Sequence, residues 1–423
     1  MASSHLFFDP EIAGHHGEYA GHVLHHVRDH GYSHPVVYVV HPDFPRHFPE
    51  LVEEASEVGG FRFQTLPPED ADTLAAGGSK VKVSMAWWQV LEEQARRFDA
   101  ERCVLMEVNK FQFAIGTRTA RQSGLEIRGI LFFPYLRIEP QTRRLTDRVS
   151  SFFERGRKWL QTVWMLRNPH VSCLYILNDE EAAREMSKRH PQVPFLPLLD
   201  PVPVFPDAET IRSEALRTVL APSDTSARLR MTLFGSLRRN KGVFVLLDAL
   251  ERLPDSVAAE LEILFVGSVH NSIEDGFRGR LRSTMDRQPQ MQLDLVDEYV
   301  DASDLRHVIE ASDVILAPYV RTEGSSGVIG HAARYRTPVI GSGTGLIGEL
   351  IAANDLGWTI DPVHADTLAA RITDAVQQGH VPMKNAAAQQ YVDKRTPDAF
   401  SRLLLAEAPS EGVNAAATSA ATT

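Results

Sequence analysis

LRMTLFGSLRRNKGVFVLLDALER, residues 229–252, is the stretch on which the reading of the fold turns. A short apolar run ends at Phe234, Gly235 permits a tight turn, and a helical pattern follows from about Gly242 to Arg252. Strand, glycine turn and helix in this order form the repeating unit of a parallel sheet covered by helices. Arg238, Arg239 and Lys241 stand where a helix N-terminus offers unsatisfied N–H groups, an arrangement suited to a diphosphate. A solvated basic turn ahead of a helix fits the same residues.

The alternation continues outward from this stretch. Further strands are expected at 261–266, 291–295, 313–317 and 338–341, with helices at 303–311, 327–335 and 365–378. In the first half, strands are expected at 36–40, 103–108, 129–133 and 172–177, and a helix at 181–188. Between 195 and 206, prolines recur at 197, 201, 203 and 206, which excludes a central strand or a helix interior and reads as an interdomain hinge. The expected architecture is α/β, with two Rossmann-like doubly wound domains facing a central cleft. Residues 1–200 and 201–385 form the domains, 386–408 a helical segment packing back toward the first, and 409–423 a disordered tail.

Composition bounds the function. With 43% hydrophobic and 23% charged residues over 423 positions, the chain is an ordinary globular protein large enough for two cores. The two cysteines, Cys103 and Cys173, lie in apolar runs and read as buried thiols of a reducing compartment, which leaves no disulfide framework and no four-cysteine zinc site. Against 55 acidic residues stand 44 basic ones, a net charge of −11 that argues against nucleic-acid binding and requires a local basic site for any anion. Neither a signal peptide nor an apolar run of membrane-spanning length is evident, so the expectation is a cytoplasmic protein.

A second motif, YVRTEGSSGVIGH at 319–331, again follows an expected strand and opens a helix. Gly324, Ser325, Ser326 and Gly327 supply backbone amides and two hydroxyls at that helix N-terminus, suited to phosphate oxygens, while Glu323 can hold sugar hydroxyls. An ordinary loop with a solvated glutamate is the plainer alternative.

Taken together, the two motifs resemble the carboxyl-terminal domain of the group 1 glycosyltransferases, the large retaining family 4 with the GT-B fold. Residues 200–380 carry the resemblance: Lys241-Gly242, Leu246 to Leu250, Leu264 to Gly267, Ala311 to Pro318, and Glu323 through Ile340. It implies a nucleotide-diphosphate-sugar donor on the second domain and a glycan, lipid-linked or small-molecule acceptor on the first. By the same resemblance Lys241 neutralises the donor diphosphate with Arg238 or Arg239, Gly235, Ser236 and Gly267 border the donor, and the amides around Ser326 to Val328 meet its distal phosphate. Glu323 falls on the first glutamate of a Glu-x7-Glu motif and grips the transferred sugar. The second glutamate is replaced by His331, an arginine by Ser236, and no histidine follows the strand at 129–133. No metal or other cofactor is required, because amides and basic side chains hold the leaving group. Two other readings stay open: a catalytically silent protein that binds a sugar nucleotide or an enzyme partner, and a sugar-nucleotide epimerase.

Nine of the 17 histidines fall within the first 41 residues. Gly14, His15, His16, Glu18 and Tyr19 occupy the first strand-to-helix loop and are the candidates for the acceptor side. His22, His26 and His30 share one helical face, which is read as solvated, although the spacing permits a metal. Between 141 and 170 seven basic residues face two acidic ones, around an apolar stripe of Phe152, Phe153, Trp159, Leu160, Val163 and Trp164. Burial of that stripe against the first sheet is the preferred expectation, and peripheral contact of 152–167 with the inner face of a membrane the alternative.

Overall fold

The computed structural model describes residues 3–12, 15–138, 145–205, 210–221, 228–322, 324 and 326–407. The chain forms two compact units, Met1–Pro201 with Thr396–Thr423, and Val202–Arg395. The helix Asn385–Asp393 stays in the second unit, packed through Ala388, Tyr391 and Val392, so the return to the first unit begins at Thr396 rather than at 386. The expected tail at 409–423 lies outside the described residues.

The first unit is built on seven parallel strands: β1 (Ser4–Asp9), β2 (Val36–Val40), β3 (Phe61–Thr65), β4 (Ala100–Leu105), β5 (Glu126–Leu131), β6 (Val171–Leu177) and β7 (Phe195–Leu198). Their order is β3-β2-β1-β4-β5-β6-β7. The second unit carries β8 (Leu229–Phe234), β9 (Leu261–Val266), β10 (Gln292–Val296), β11 (Val314–Ala317), β12 (Val339–Ser342) and β13 (Gly357–Ile360), ordered β10-β9-β8-β11-β12-β13. Both are Rossmann-like orders, which reverse direction between β1 and β4 and between β8 and β11.

Continuous apolar strands follow from burial on both faces. In β2, Val37 and Val39 enter one core while Val36, Tyr38 and Val40 enter the other. In β9, Leu261, Ile263 and Phe265 face one layer of helices, and Leu264 and Val266 the opposite layer. The stretch read as a hinge contains β7, and Pro197 is tolerated there because β7 is an edge strand. Cys103 and Cys173 are buried and unpaired, and burial raises both thiols, that of Cys173 to about 12.

The helix Pro397–Leu405 returns the chain to the first unit against the helix His16–His30. Its Phe400 stacks on Tyr19 at 4.8 Å, and Phe400, Leu404 and Leu405 join the core beneath. Beyond it, the carbonyls of Ala406 and Glu407 accept hydrogen bonds from Arg128 at 2.5 and 2.9 Å. Glu126 holds Arg128 and Arg102 from below at 2.7 and 2.8 Å.

His5 and His22 of this unit resist protonation. Burial, then the charges of Arg102 and His34, lowers His5 to about 4, and burial lowers His22 to about 4. The unfolded chain takes up these protons near pH 6.5, whereas the folded chain does not until about pH 4. Stability therefore falls as pH drops through that window, by up to roughly 1.4 kcal/mol per pH unit for each histidine. Urea titrations across the window should show a shallower slope for His5→Gln and for His22→Phe. Identical slopes in both variants and the parent would exclude these residues as the cause.

Candidate functional site

In the second unit the loops after β8 and β11 open where the strand order reverses, the place at which open α/β sheets bind ligands. Gly235 (φ +101) turns the chain out of β8, and its carbonyl lies where a Cβ on Gly267 (φ +127) would come within 2.1 Å. The two backbones are knitted further by Leu237 N–H to Ser268 O at 3.0 Å and His270 N–H to Leu237 O at 3.1 Å. Arg239–Lys241 forms a 3-10 turn closed by Gly242 in the left-handed region (φ +78), where a Cβ would come within 2.0 Å of the Pro318 carbonyl. From the other loop, the Val320 N–H donates to Asn240 O at 2.9 Å.

This scaffold brings Lys241, Tyr319 and Ser326 together. The Lys241 ammonium lies 4.0 Å from the Tyr319 ring centroid and 3.4 Å from Ser326 Oγ, while the Tyr319 hydroxyl is 3.1 Å from that same Oγ. Ser326 precedes the helix Gly327–Tyr335 without capping it through its side chain. The first-turn amides of Gly327 and Val328 thus open beside a cation. Arg238 is exposed and donates from Nε to Ser236 Oγ at 2.9 Å, so Ser236 holds a nearby guanidinium. Arg239 instead lies over the Phe244 ring at 4.4 Å. Among the described residues neither Lys241 nor Arg238 forms an ion pair, whereas Arg230 of the same unit is paired with Glu262 at 2.7 Å.

Other candidates stand apart. His331 is 7% exposed and stacks on Phe205 at 4.8 Å. Gly324 is half-buried. Glu323 and Ser325 lie outside the described residues, as does Gly14.

In the first unit the corresponding reversal lies beyond β1, which ends in Asp9. This carboxylate is 3% exposed, 2.5 Å from His16 Nδ1, and accepts from the Tyr38 hydroxyl at 3.2 Å. Burial raises Asp9. Burial also acts to lower His16, but the hydrogen bond and charge of Asp9, with Glu11 and Glu107 behind it, leave the imidazole raised above its usual range. Such a pair orients one ring nitrogen and suits His16 to hold or pass a proton. The sequence marks Asp9 only as the carboxylate that closes the apolar run HLFFD ahead of the turn into the first helix. Tyr19 is buried, donates to Asp200 at 2.7 Å and supports Phe400, so it fixes the helix rather than facing a ligand. His15 lies 3.3 Å from exposed Glu18.

Residues 228–378 match the sequence model of the family described as glycosyl transferases group 1. The matched stretch lies within the second unit and covers less than half of the chain. The match takes in every strand of that unit and both loops of the cluster. No curated protein matches the chain in sequence. Among solved structures, the chain resembles sucrose-phosphate synthase from Thermosynechococcus elongatus, with 14% identity, coverage of 99% of this chain and 100% of the other, and TM-score 0.63. WaaG, a glycosyltransferase involved in lipopolysaccharide biosynthesis, gives 15%, 95%, 99% and 0.61. HepE of Anabaena, solved in complex with UDP and glucose, gives 14%, 100%, 100% and 0.58. These likenesses show a GT-B fold.

Within this stretch, Gly242→Ala combines a left-handed backbone with a collision against Pro318 and should cost more than about 1 kcal/mol of stability. Gly279→Ala meets open space on an exposed helix and should gain roughly 0.5–1 kcal/mol. Equal denaturation midpoints for Gly242→Ala and the parent would show that this close approach is not required.

Proposed function

We propose that the chain is a glycosyltransferase that takes a sugar from a nucleoside-diphosphate donor bound to the second unit, with retention, and passes it to a glycan, lipid-linked or small-molecule acceptor on the first. The observation that carries this reading is the Lys241, Tyr319 and Ser326 cluster at a helix N-terminus, inside the stretch that matches the family. As the glycosidic bond breaks, negative charge develops on the departing diphosphate. Lys241, Arg238 and the amides of Gly327 and Val328 are positioned to stabilise it without a metal. Glu323 is assigned to the hydroxyls of the moving sugar, and His16, held by Asp9, to the acceptor side. HepE was solved in complex with UDP-glucose, which makes UDP and UDP-glucose the first donors to test.

Lys241→Ala removes a charge-assisted contact worth roughly 1.5–3 kcal/mol and should weaken UDP binding about 10-fold to 150-fold in calorimetry. Glu323→Gln should leave UDP affinity nearly unchanged and slow transfer at least about tenfold, because its contact strengthens as the sugar becomes cationic. UDP affinity equal to the parent's in Lys241→Ala would take the lysine out of the site. Donor binding without transfer to any acceptor would favour the silent-protein reading.

The acceptor is proposed to be met at an anionic membrane surface. In the helix Leu145–Met165 the apolar stripe is not buried as the sequence suggested: Phe152 is 73%, Phe153 70% and Leu160 60% exposed. Only the last turns pack inward, through Gln161, Thr162 and Met165, with the Trp164 Nε1–H donating to Phe113 O at 2.9 Å. Arg148 and Arg155 are exposed on the same helix, and Lys158 lies 5.1 Å from the Phe133 ring. Among the described residues no helix is long and apolar enough to cross a membrane. Aromatic rings beside arginines match a headgroup boundary. The protein should co-sediment with phosphatidylglycerol vesicles at low salt and be released as salt rises, with Phe152→Ser/Phe153→Ser failing to bind. No sedimentation at low salt would refute the contact.

A further inference from the structure

The helix His16–His30 carries a histidine face that splits in two. His22 turns edge-on to Phe400 at 6.3 Å, whereas His26 and His30 stack on each other at 4.5 Å and point at Asp398, in the first turn of the returning helix. His26 Nδ1 is 2.8 Å and His30 Nε2 3.7 Å from the same Asp398 oxygen, and all three ligand atoms lie within 4.8 Å of one another.

We propose that His26, His30 and Asp398 bind a divalent transition metal, zinc in the first instance, with water completing the coordination. Ligand atoms about 2.0–2.2 Å from zinc stand roughly 3.3–3.6 Å apart in a tetrahedron, and the two measured separations bracket that spacing. The surroundings also suit a metal. His30 Nδ1 is 3.3 Å from the carbonyl of His26, which fixes the tautomer that leaves Nε2 free to coordinate, the outer contact that metal-binding histidines make. The second oxygen of Asp398 faces Arg402 at 3.7 Å, so the carboxylate is turned with its first oxygen toward the imidazoles.

A second group, His5, His34 and Glu101, also brings three ligands together, but there the buried Arg102 guanidinium stands 3.4 Å from His5 Nδ1 and disfavours a cation, whereas Arg402 beside Asp398 is exposed and screened by solvent. At His26, His30 and Asp398 the ion would bridge the first helix to the helix that brings the chain back to its starting unit. Its effect is therefore to fasten the chain's return.

The test uses the full untagged chain, titrated with zinc chloride by calorimetry and followed by melting temperature. One zinc per chain and a raised melting temperature are expected. His30→Ala and Asp398→Asn, both at exposed positions, should each weaken binding at least about tenfold and abolish the thermal shift while leaving the circular dichroism spectrum unchanged. Cobalt(II) in place of zinc should give the visible absorption of a tetrahedral nitrogen and oxygen site, lost in both variants. Absence of zinc binding by the parent chain, or binding undiminished in both variants, would overturn the proposal, the latter placing the metal elsewhere, such as at His5, His34 and Glu101.

Discussion

The reversal of strand order between β8 and β11 is the constraint from which the candidate donor site follows. The two strands pair over only Met231–Val314 and Thr232–Ile315, with Thr232 and Ser312 joined by a hydroxyl hydrogen bond of 2.6 Å. Past that short ladder their following helices pack on opposite faces of the sheet, so the loops that lead to them must separate. What keeps the loops at a useful distance is close backbone contact. Gly242 sits on Pro318, Gly267 on Gly235, and Val320 hydrogen-bonds Asn240. These are positions where a side chain cannot fit, so glycine serves here as a spacer that sets where Lys241 and Ser326 stand.

How much was legible in the sequence depended on burial. Central strands such as VVYVV in β2 and LEILFV in β9 are covered on both faces and announce themselves as unbroken apolar runs. Of the strands to which the sequence gives no bounds, β3, β7 and β13 are edge strands, whereas β1 is central and its run SHLFFD opens on two polar residues, Ser4 and His5. FRFQT mixes polar residues into the run, FLPL contains a proline and GWTI begins with a glycine, each admissible only where one side of the ladder is unpaired. The loops after β8 and β11 were legible as strand-to-helix turns, because glycine directly after an apolar run marks the exit from a buried strand. The Asp9 and His16 pair was not, since the carboxylate and the imidazole come from different elements and only the sheet brings them within 2.5 Å.

The aromatic helix shows a different failure of inference. A stripe of Phe152, Phe153, Trp159 and Leu160 has the periodicity of a buried face, and periodicity cannot say what covers it. Among the described residues, it is the last turns of that helix that pack against protein. Arginines among the exposed rings separate this face from an ordinary core stripe, because a core face has little use for a guanidinium at its centre.

The distribution of paired and unpaired cations carries the functional argument further than the motifs do. Arg128 is 2% exposed and spends its donors on Glu126, Ser172 and two backbone carbonyls near the end of the described chain. It is a structural cation, whose loss would take from the Ala406 carbonyl its guanidinium donor and leave half-buried Glu126 to Arg102 and Ser172 alone. Lys241 is placed otherwise: it rests on an aromatic face and a hydroxyl, and among the described residues no carboxylate neutralises it. An aromatic ring steadies an ammonium without cancelling its charge, so the field at the helix N-terminus remains positive. In a protein with a net charge of −11, a cation held in this manner beside first-turn amides is matched to an anion that arrives from solution, and a diphosphate has the charge and the oxygen count to engage both.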